Sequence, residues 1–455
     1  MDFVKSLVIR NFATTKNDIM RANIKRGELT RVVIVGGGLG GLRLAMSLKK
    51  TNFQVVLIDK NNYNQFPPLI YQMASAGLEP SNISFPFRRL LQGKKNFYFR
   101  MGTVLSIDST EKAVHTTFGV VHYDYLVLAA GATTNFFGNS HVEANVLPMK
   151  TVTESMRLRN TIFSNLERAE TEDDKARRQA WMNVVVVGGG PSGVEISGAL
   201  ADMRKMVIPK DYPELDASMF QIYLIDSGSR LIKGMDPKSS ARAEKDLTEM
   251  GVNIMLGKRV ADYKNGDVVL QSGETIPAKT VIWVSGIKAN TIDGLPAESI
   301  GRAERIITDR CCRVKGMEDV FSIGDQSIME GDPDYPDGHP QLAQVALQQA
   351  DLVSKNIRRM EDGKEPETFS YKNLGTMATI GRKRAVVEIG KFKFGGFTAW
   401  ILWLVVHIRS ILGVKNKTSV FLNWMWNYIN YTQSLRLILN LPNRHTEHRE
   451  ESRKE

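Results

Sequence analysis

The sequence predicts an α/β protein made from two copies of one strand–turn–helix–strand unit, followed by an apolar helical C-terminal region. Three observations carry this. Residues 31–60, RVVIVGGGLGGLRLAMSLKKTNFQVVLIDK, place an apolar run, a glycine turn, a helical stretch and a second apolar run ending in Asp59 in that order. Residues 183–226 repeat the order, with GGGPSG at 188–193 and a strand ending in Asp226. Each copy is followed by alternating residues and an apolar strand that ends in small residues, YLVLAAGATTN in the first half and TVIWVSGIKAN in the second.

The first copy holds Gly36, Gly38 and Gly41 as G-x-G-x-x-G. Val32 to Val35 and Val55 to Ile58 are continuous apolar runs, as parallel strands buried on both faces require. The first glycine permits a tight turn, the second lets the backbone approach a pyrophosphate, and the third lets the helix pack on the strand. Phosphates meet free N–H groups at the helix N-terminus, and Asp59 can accept from a ribose diol. The unit is therefore read as a Rossmann-like dinucleotide-binding domain. After it, NNYNQFPPLIYQMASAGLEP reads as a loop because of Pro67-Pro68 and the clustered Asn residues. Residues 97–130 read as antiparallel hairpins and then a buried strand, Tyr125 to Ala129.

Residues 151–180 are charged and helical. In the second copy Asn183 to Val187 is a buried strand, and a helix is expected from Val194 to about Met206. The third glycine and the acid are 18 residues apart in the first copy (Gly41 to Asp59) and 33 in the second (Gly193 to Asp226). The additional residues, about 206–219, are expected to be a surface insertion. Val252 to Ala278 reads as further hairpins, and Val320 to Ile323 as a last strand closed by Gly324-Asp325.

A formal charge of +11 fits either a solvated basic surface or attraction to an anionic one. No arginine-rich block or nucleic-acid motif accompanies it, which favours a membrane over nucleic acid. The two cysteines, Cys311 and Cys312, are adjacent. That pattern fits a reducing compartment and excludes a reductase working through two spaced thiols. The seven histidines show no metal-ligand spacing, so no metal is expected, and His339 reads as a loop residue. Residues 1–30 read as a tail or docking arm without a secretory signal.

Residues 397–412, FTAWILWLVVHIRSIL, are strongly apolar, but a 16-residue helix is only about 24 Å long. That is short of a hydrocarbon core of about 30 Å. In 419–440, Asn423, Asn427, Asn430 and Ser434 form one polar stripe. Four of the six tryptophans lie between 400 and 426, and tryptophan suits a bilayer interface. The segments read as two interfacial helices with basic flanks, the other reading being a dimerisation or core-packing element. The tail from Asn443 is charged.

The order of parts resembles the flavoprotein reductases with two dinucleotide-binding domains. Within that group AQVALQ at 343–348, together with FPPLIYQMASAGLEP, GGGPSGVEISGAL and FSYKNLGTMATIGRKRAVVEI, resembles the type II NADH dehydrogenases, the single-subunit NADH:quinone oxidoreductases that do not pump protons. The resemblance implies FAD on the first fingerprint, held by Gly36, Gly38, Leu39, Gly40, Gly41, Asp59, Lys60, Ala130, Gly131, Gly324, Asp325, Gln344 and Val345. It implies NADH on the second, held by Gly188, Gly190, Pro191, Ser192, Gly193, Glu195, Asp226 and Gly286. It places Gln344 and Gln348 in a quinone pocket and Glu195 near the nicotinamide and the quinone entrance. On residues alone, the two glutamines fit an exposed helix face equally well, and Glu195 fits an acid favoured by a helix N-terminus. Two departures are Asp226, where the family often has Glu, and Ser285-Gly286, where it has Ala-Gly. The carboxylate of Asp226 favours NADH over NADPH, with Arg230 as a possible counter-influence.

The expected organisation is a tail at 1–30, an FAD domain split over 31–150 and 310–365, an NADH domain at 151–309 inserted into it, and a C-terminal region at 366–455. The expected activity passes a hydride from NADH to FAD and two electrons onward to a membrane quinone, ubiquinone or menaquinone. The alternatives are a soluble reductase serving a ferredoxin-like protein and an NADH-sensing flavoprotein without turnover. Sulfide:quinone reductase would need spaced cysteines beside the flavin. The expected setting is a homodimer lying on the cytoplasmic face of a bacterial inner membrane, with an organellar inner membrane as the alternative.

Overall fold

The computed structural model describes residues 22–48, 52–93, 96–430 and 436–439, with only the backbone at 427–430. The chain forms two compact units. One runs over Met1–Asn64, Pro86–Ala132 and Lys288–Lys372, the other over Gln65–Phe85, Thr133–Ile287 and Asn373–Glu455.

The first unit is built on a five-stranded parallel sheet in the order Val320–Ser322, Tyr125–Leu128, Arg31–Val35, Gln54–Asp59, Phe97–Met101. Arg31–Val35 is buried throughout and pairs in register with Gln54–Asp59, Val33 opposite Val56. Phe97–Met101 is the parallel edge strand beside Gln54–Asp59 and not part of a hairpin, as the sequence suggests. The antiparallel sheet starts later, at Val104–Asp108. The apolar alternation of 97–108 cannot distinguish the two, because an edge strand also has one partly exposed face. The helix Leu39–Ser47 packs against the helix Ala343–Glu361, fixed by a bidentate Arg43–Asp351 pair at 2.7 and 3.0 Å. Residues 22–25, expected as part of a tail, are pinned to this unit. Arg100 donates to the carbonyls of Ala22 and Asn23, and Gln54 to that of Lys25.

The second unit repeats the sheet as Leu147–Pro148, Thr280–Trp283, Val184–Val187, Ile222–Asp226, Val252–Leu256, again parallel. Here too the strand expected in a hairpin, Val252–Leu256, is the parallel edge, and the hairpins are Val260–Lys264, Asp267–Leu270 and Thr275–Pro277. The insertion near 206–219 is not a loose surface feature. It forms a short helix, Ile208–Asp211, with Val207, Ile208, Tyr212 and Leu215 buried. The presumed loop after Asp59 is largely helical, Ile70–Ala74 and Pro80–Ile83, with Leu69, Tyr71, Met73 and Leu78 in the core. Pro67 begins a short 3-10 turn that leads into the helix, a position where a missing N–H costs nothing.

The C-terminal part of this unit is a three-stranded antiparallel sheet, Thr376–Thr379, Ala385–Ile389 and Phe392–Gly395, then helices Phe397–Ser410 and Val414–Asn430. Ala399 and Trp403 are buried, Ala399 packing with Ala385 and Val387. The first helix is therefore part of the core on one face. Its other face, and much of the second helix, is apolar and exposed. Of the predicted polar stripe, the side chains of Asn427, Asn430 and Ser434 lie outside the described residues, as do residues 1–21 and the tail from Asn443.

Candidate active site

In the first unit the glycine turn is shaped by contacts that only glycine permits. Gly36 has φ +99°, and a Cβ there would lie 2.3 Å from the Ala129 carbonyl. A Cβ on Gly41 would lie 1.9 Å from the Gly36 carbonyl. At Gly38 and Gly131, by contrast, a Cβ would meet nothing within 4 Å, so a cradle opens there for a ligand to occupy. Asp59 closes the turn: its carboxylate accepts from the Gly37 N–H at 2.6 Å and the Asn61 N–H at 2.7 Å. Burial raises its pKa, and the two N–H bonds oppose that. Lys60 is exposed beside it, Leu39 begins the helix, and Gly40 is packed 3.2 Å from the Ala346 carbonyl, counted from its Cβ position.

Several residues that sequence spacing does not reveal hold this cradle. Asn64, buried, donates to the Gly37 carbonyl at 2.7 Å. The Ala130–Gly131 turn is clamped twice. Ala130 N–H donates to Gln326 at 2.8 Å, and Asn290 donates to the Ala130 carbonyl at 2.8 Å. Gly324 N–H donates to the buried Gln349 at 2.8 Å, while Gln341 donates to the Asp325 carbonyl at 2.8 Å. These partners are 16 to 196 residues apart in sequence, beyond any local pattern. Val345 is buried at the start of the Ala343–Glu361 helix, and Gln344 and Gln348 are half-buried on the same helix face. Gln348 uses its amide on Lys372, accepting from its N–H and donating to its carbonyl, both at 2.9 Å.

The second unit repeats the device. Gly188 has φ +120°, with a Cβ position 2.8 Å from Ser285, and the Gly193 Cβ would lie 1.8 Å from the Gly188 carbonyl. A Cβ at Gly190 would meet nothing within 4 Å. Pro191 is the first helical residue, and Pro191 and Ser192 are exposed at the mouth of the turn. Asp226 accepts from Gly189 N–H and Gly228 N–H, each at 2.6 Å, the same lock that Asp59 provides. Gly286, exposed with φ +112°, ends the strand turn and accepts from Asn135 N–H at 3.1 Å. Arg230 is engaged internally, donating to Met235, Lys233 and Ser240 at 2.7–2.8 Å. It is a brace for the following loop.

Glu195 stands on the second helix, Pro191–Met206, partly buried. Burial pushes its carboxyl up to about 8, and an N–H from Thr379 partly offsets this. A neutral carboxylic acid at physiological pH can donate a proton where an ordinary glutamate cannot. Two turns on, Asp202 accepts the Arg382 N–H at 2.7 Å and is raised to about 6 by burial. The helix crosses the turn after Thr379 at two glycines: a Cβ on Gly198 would lie 2.4 Å from the Gly381 nitrogen. Tyr71, Trp403, His407 and Trp424 form an aromatic cluster in this unit. Trp403 stacks on His407 at 3.9 Å and lies 5.6 Å from Trp424. His407 is pushed down to about 4 by burial and bonds the Trp403 carbonyl through Nδ1 at 2.7 Å. His339, a loop residue by sequence, is buried with Nε2 3.2 Å from Asp332.

Two glycine turns, each locked by its own carboxylate, define a protein of the two-dinucleotide oxidoreductase class. The family model described as pyridine nucleotide-disulphide oxidoreductase matches residues 30–350, and the NDH2 C-terminal domain model matches 373–430. The chain belongs to the type II NADH:quinone oxidoreductases. It is 32% identical over 421 residues to the type II NADH:quinone oxidoreductase Ndh of Mycobacterium tuberculosis, covering 88% of each chain. It is 28% identical over 448 residues to an internal alternative NAD(P)H-ubiquinone oxidoreductase of Arabidopsis thaliana mitochondria, covering 90% of this chain and 86% of that one. The fold matches that of NDH2 from Plasmodium falciparum solved with RYL-552, with a TM-score of 0.83 and 19% identity, over 91% of this chain and 100% of that one. Cys311 and Cys312 are both buried and free.

Proposed function

We propose that this chain is an NADH:quinone oxidoreductase that uses FAD and NADH and moves no proton across the membrane. The observation that carries it is the doubled, carboxylate-locked glycine cradle in one chain of this family. FAD, when bound, supplies acceptance of a hydride from NADH and onward transfer of two electrons. The first cradle, Gly36 to Gly41 with Asp59, Ala130, Gly131, Gly324 and Asp325, holds FAD. The open space at Gly38 and Gly131 is where its backbone-lined seat admits a ligand. Gly188, Gly190, Pro191, Ser192, Gly193, Asp226 and Gly286 hold NADH. Asp226 favours an unphosphorylated ribose, and Arg230, occupied by three partners, does not compete for a 2′-phosphate. Glu195 retains a proton at neutral pH and delivers it during quinone reduction, and Gln344 and Gln348 line the quinone's approach.

Membrane association is proposed for the C-terminal helices. Phe397, Ile401 and Val405 are 41–57% exposed at i, i+4 and i+8, so they share one helix face. Phe392, Phe421, Leu422, Met425 and Trp426 add exposed apolar surface. A patch of this kind on a soluble face marks a membrane or protein contact, and Lys391, Lys393, Arg409, Lys415 and Lys417 give it cationic flanks. No helix among the described residues is long and apolar enough to cross a membrane. The setting proposed is peripheral, on the cytoplasmic face of a bacterial inner membrane, in a homodimer whose paired patches would strengthen the attachment.

The test is oxidation of NADH by the purified, FAD-loaded protein with a short-chain quinone, against ferredoxin as the competing acceptor. Rapid turnover with the quinone is expected. Turnover with ferredoxin alone would assign the soluble reductase reading, and a preparation that takes up no FAD would remove every flavoenzyme reading.

A further inference from the structure

Beyond the residues that would touch NADH, FAD or quinone, the second unit contains a continuous hydrogen-bonded chain that reaches Glu195 from the apolar C-terminal helix. Trp424, on the helix Val414–Asn430, donates its indole N–H to Gln72 Oε1 at 2.8 Å. Gln72 Nε2 donates to the Tyr71 hydroxyl at 3.0 Å. The Tyr71 hydroxyl also shares a hydrogen bond with Thr379 Oγ1, 2.9 Å away. The Thr379 N–H in turn donates to the Glu195 carboxyl. Tyr71 and Thr379 are buried, so these bonds are made where water does not compete. The helix is seated at the same place by Ser419, which donates to Asn82 at 2.8 Å, and by Asn416, which donates to the Ser81 carbonyl at 3.2 Å. Residues that are 352 apart in sequence, Gln72 and Trp424, are thus joined one residue from the tyrosine that fixes Thr379.

We propose that Tyr71 and Gln72 are positioning residues that tie the C-terminal helix, through Trp424, to the carboxyl of Glu195. The last link is a backbone amide, which cannot pass a proton along. The chain therefore sets where the amide points and does not conduct. Its functional weight rests on Glu195 being the proton donor proposed above. Holding the Thr379 amide on Glu195 stabilises the carboxylate; loosening it favours the acid. Tyr71 on the facing helix is the titratable group that interacts with this carboxyl; it also feels Asp202, further along the helix of Glu195. Arg382, Lys205 and Arg384 act on Asp202, and that arrangement is left intact by changes at 71, 72 and 424.

The experiment uses the full-length, FAD-loaded enzyme and the variants Tyr71→Phe, Gln72→Leu and Trp424→Phe, which keep most of each side chain's volume. The Glu195 carboxyl is titrated directly by its infrared C=O band, identified by its absence in Glu195→Gln. Quinone-linked and ferricyanide-linked turnover are followed from pH 5.5 to 9.5. Each variant should raise the infrared midpoint by about half a unit, a threefold change in proton affinity. The Tyr71→Phe/Trp424→Phe double variant should raise it no further than Tyr71→Phe alone. The alkaline limb of quinone turnover should move with the midpoint, and ferricyanide turnover should not change. An infrared midpoint that stays within 0.2 units in all three variants overturns the coupling, even if turnover falls uniformly. A midpoint that moves while Glu195→Gln keeps the wild-type pH profile leaves the coupling standing and removes the proton-donor role of Glu195.

Discussion

Replacing Gly190 by alanine separates what the second glycine does for the fold from what it does for a ligand. At Gly190 the backbone has φ −72° and ψ −177°, a conformation alanine adopts freely, and its Cβ would meet nothing within 4 Å. The folded protein should therefore be unaffected to within about 1 kcal/mol, alanine's stiffer unfolded chain offsetting its poorer capping. The methyl would instead stand where a pyrophosphate must approach the N-terminal N–H groups of the helix. Each hydrogen bond to a charged group contributes about 1.5–3 kcal/mol. Losing one predicts a ten- to hundredfold rise in KM for NADH, with unchanged FAD content and melting temperature. Gly193→Ala is the contrast: its Cβ would lie 1.8 Å from the Gly188 carbonyl, so that variant should fail to fold normally. The assay is steady-state NADH kinetics beside calorimetric melting and flavin absorbance. A Gly190→Ala enzyme that takes NADH with the wild-type KM would refute the placement of the pyrophosphate over this turn.

Other outcomes follow from the same geometry. Glu195→Gln keeps an acceptor for the Thr379 N–H but removes a buried acid. The folded pKa, about 8, lies above the ordinary 4.5, so native stability falls as pH rises between these values and levels off above about 8. The variant should therefore gain in melting temperature over the wild type between pH 5 and pH 8.5, and a gap that does not widen would argue against a buried neutral acid. His407, held down to about 4, should show constant imidazole NMR shifts from pH 5.5 to 8. A midpoint near 6.5 would mean that the ring reaches solvent. Changing Phe397, Ile401 and Val405 together to serine removes exposed apolar surface worth about 1 kcal/mol each, so liposome affinity should drop about a hundredfold. Ferricyanide activity and melting should hold, because Ala399 and Trp403 keep the inner face of the helix. Unchanged flotation with liposomes would shift the attachment elsewhere.

What could be read from the sequence follows from how local the physics is. The glycine turns are legible because three glycines and a terminal acid act within one βαβ unit. The 1.9 and 1.8 Å positions at Gly41 and Gly193 show the steric rule behind the spacing. The role of Asp59 and Asp226 was legible only in part: as ribose acceptors they fit the pattern, but their bonds to Gly37 and Gly189 appear only when the turn is folded. The edge strands Phe97–Met101 and Val252–Leu256 look like hairpins in sequence because alternation reports exposure and is blind to strand direction. Gln326, Asn290 and Gln349 escaped because a clamp that joins distant segments leaves no period. Residues 61–80 read as a loop because their prolines and asparagines mask a buried apolar set, Leu69, Tyr71, Met73 and Leu78, that only tertiary packing turns into helix.

The meeting of Gly198 and Gly381 has a consequence for how this acid can be tuned. A joint between two bare backbones has no adjustable part. Enlarging Gly198 drives a side chain into the Gly381 main chain, and no neighbouring substitution can restore that gap. Gly381 is closed off twice, since its Cβ position is also 2.5 Å from Met250 and its φ is +68°. The spacing between the helix of Glu195 and the strand of Thr379 is thus fixed, much as a keyway fixes a shaft. An engineer seeking a different proton affinity at 195 has room only on the opposite side, among side chains that can be exchanged one atom at a time.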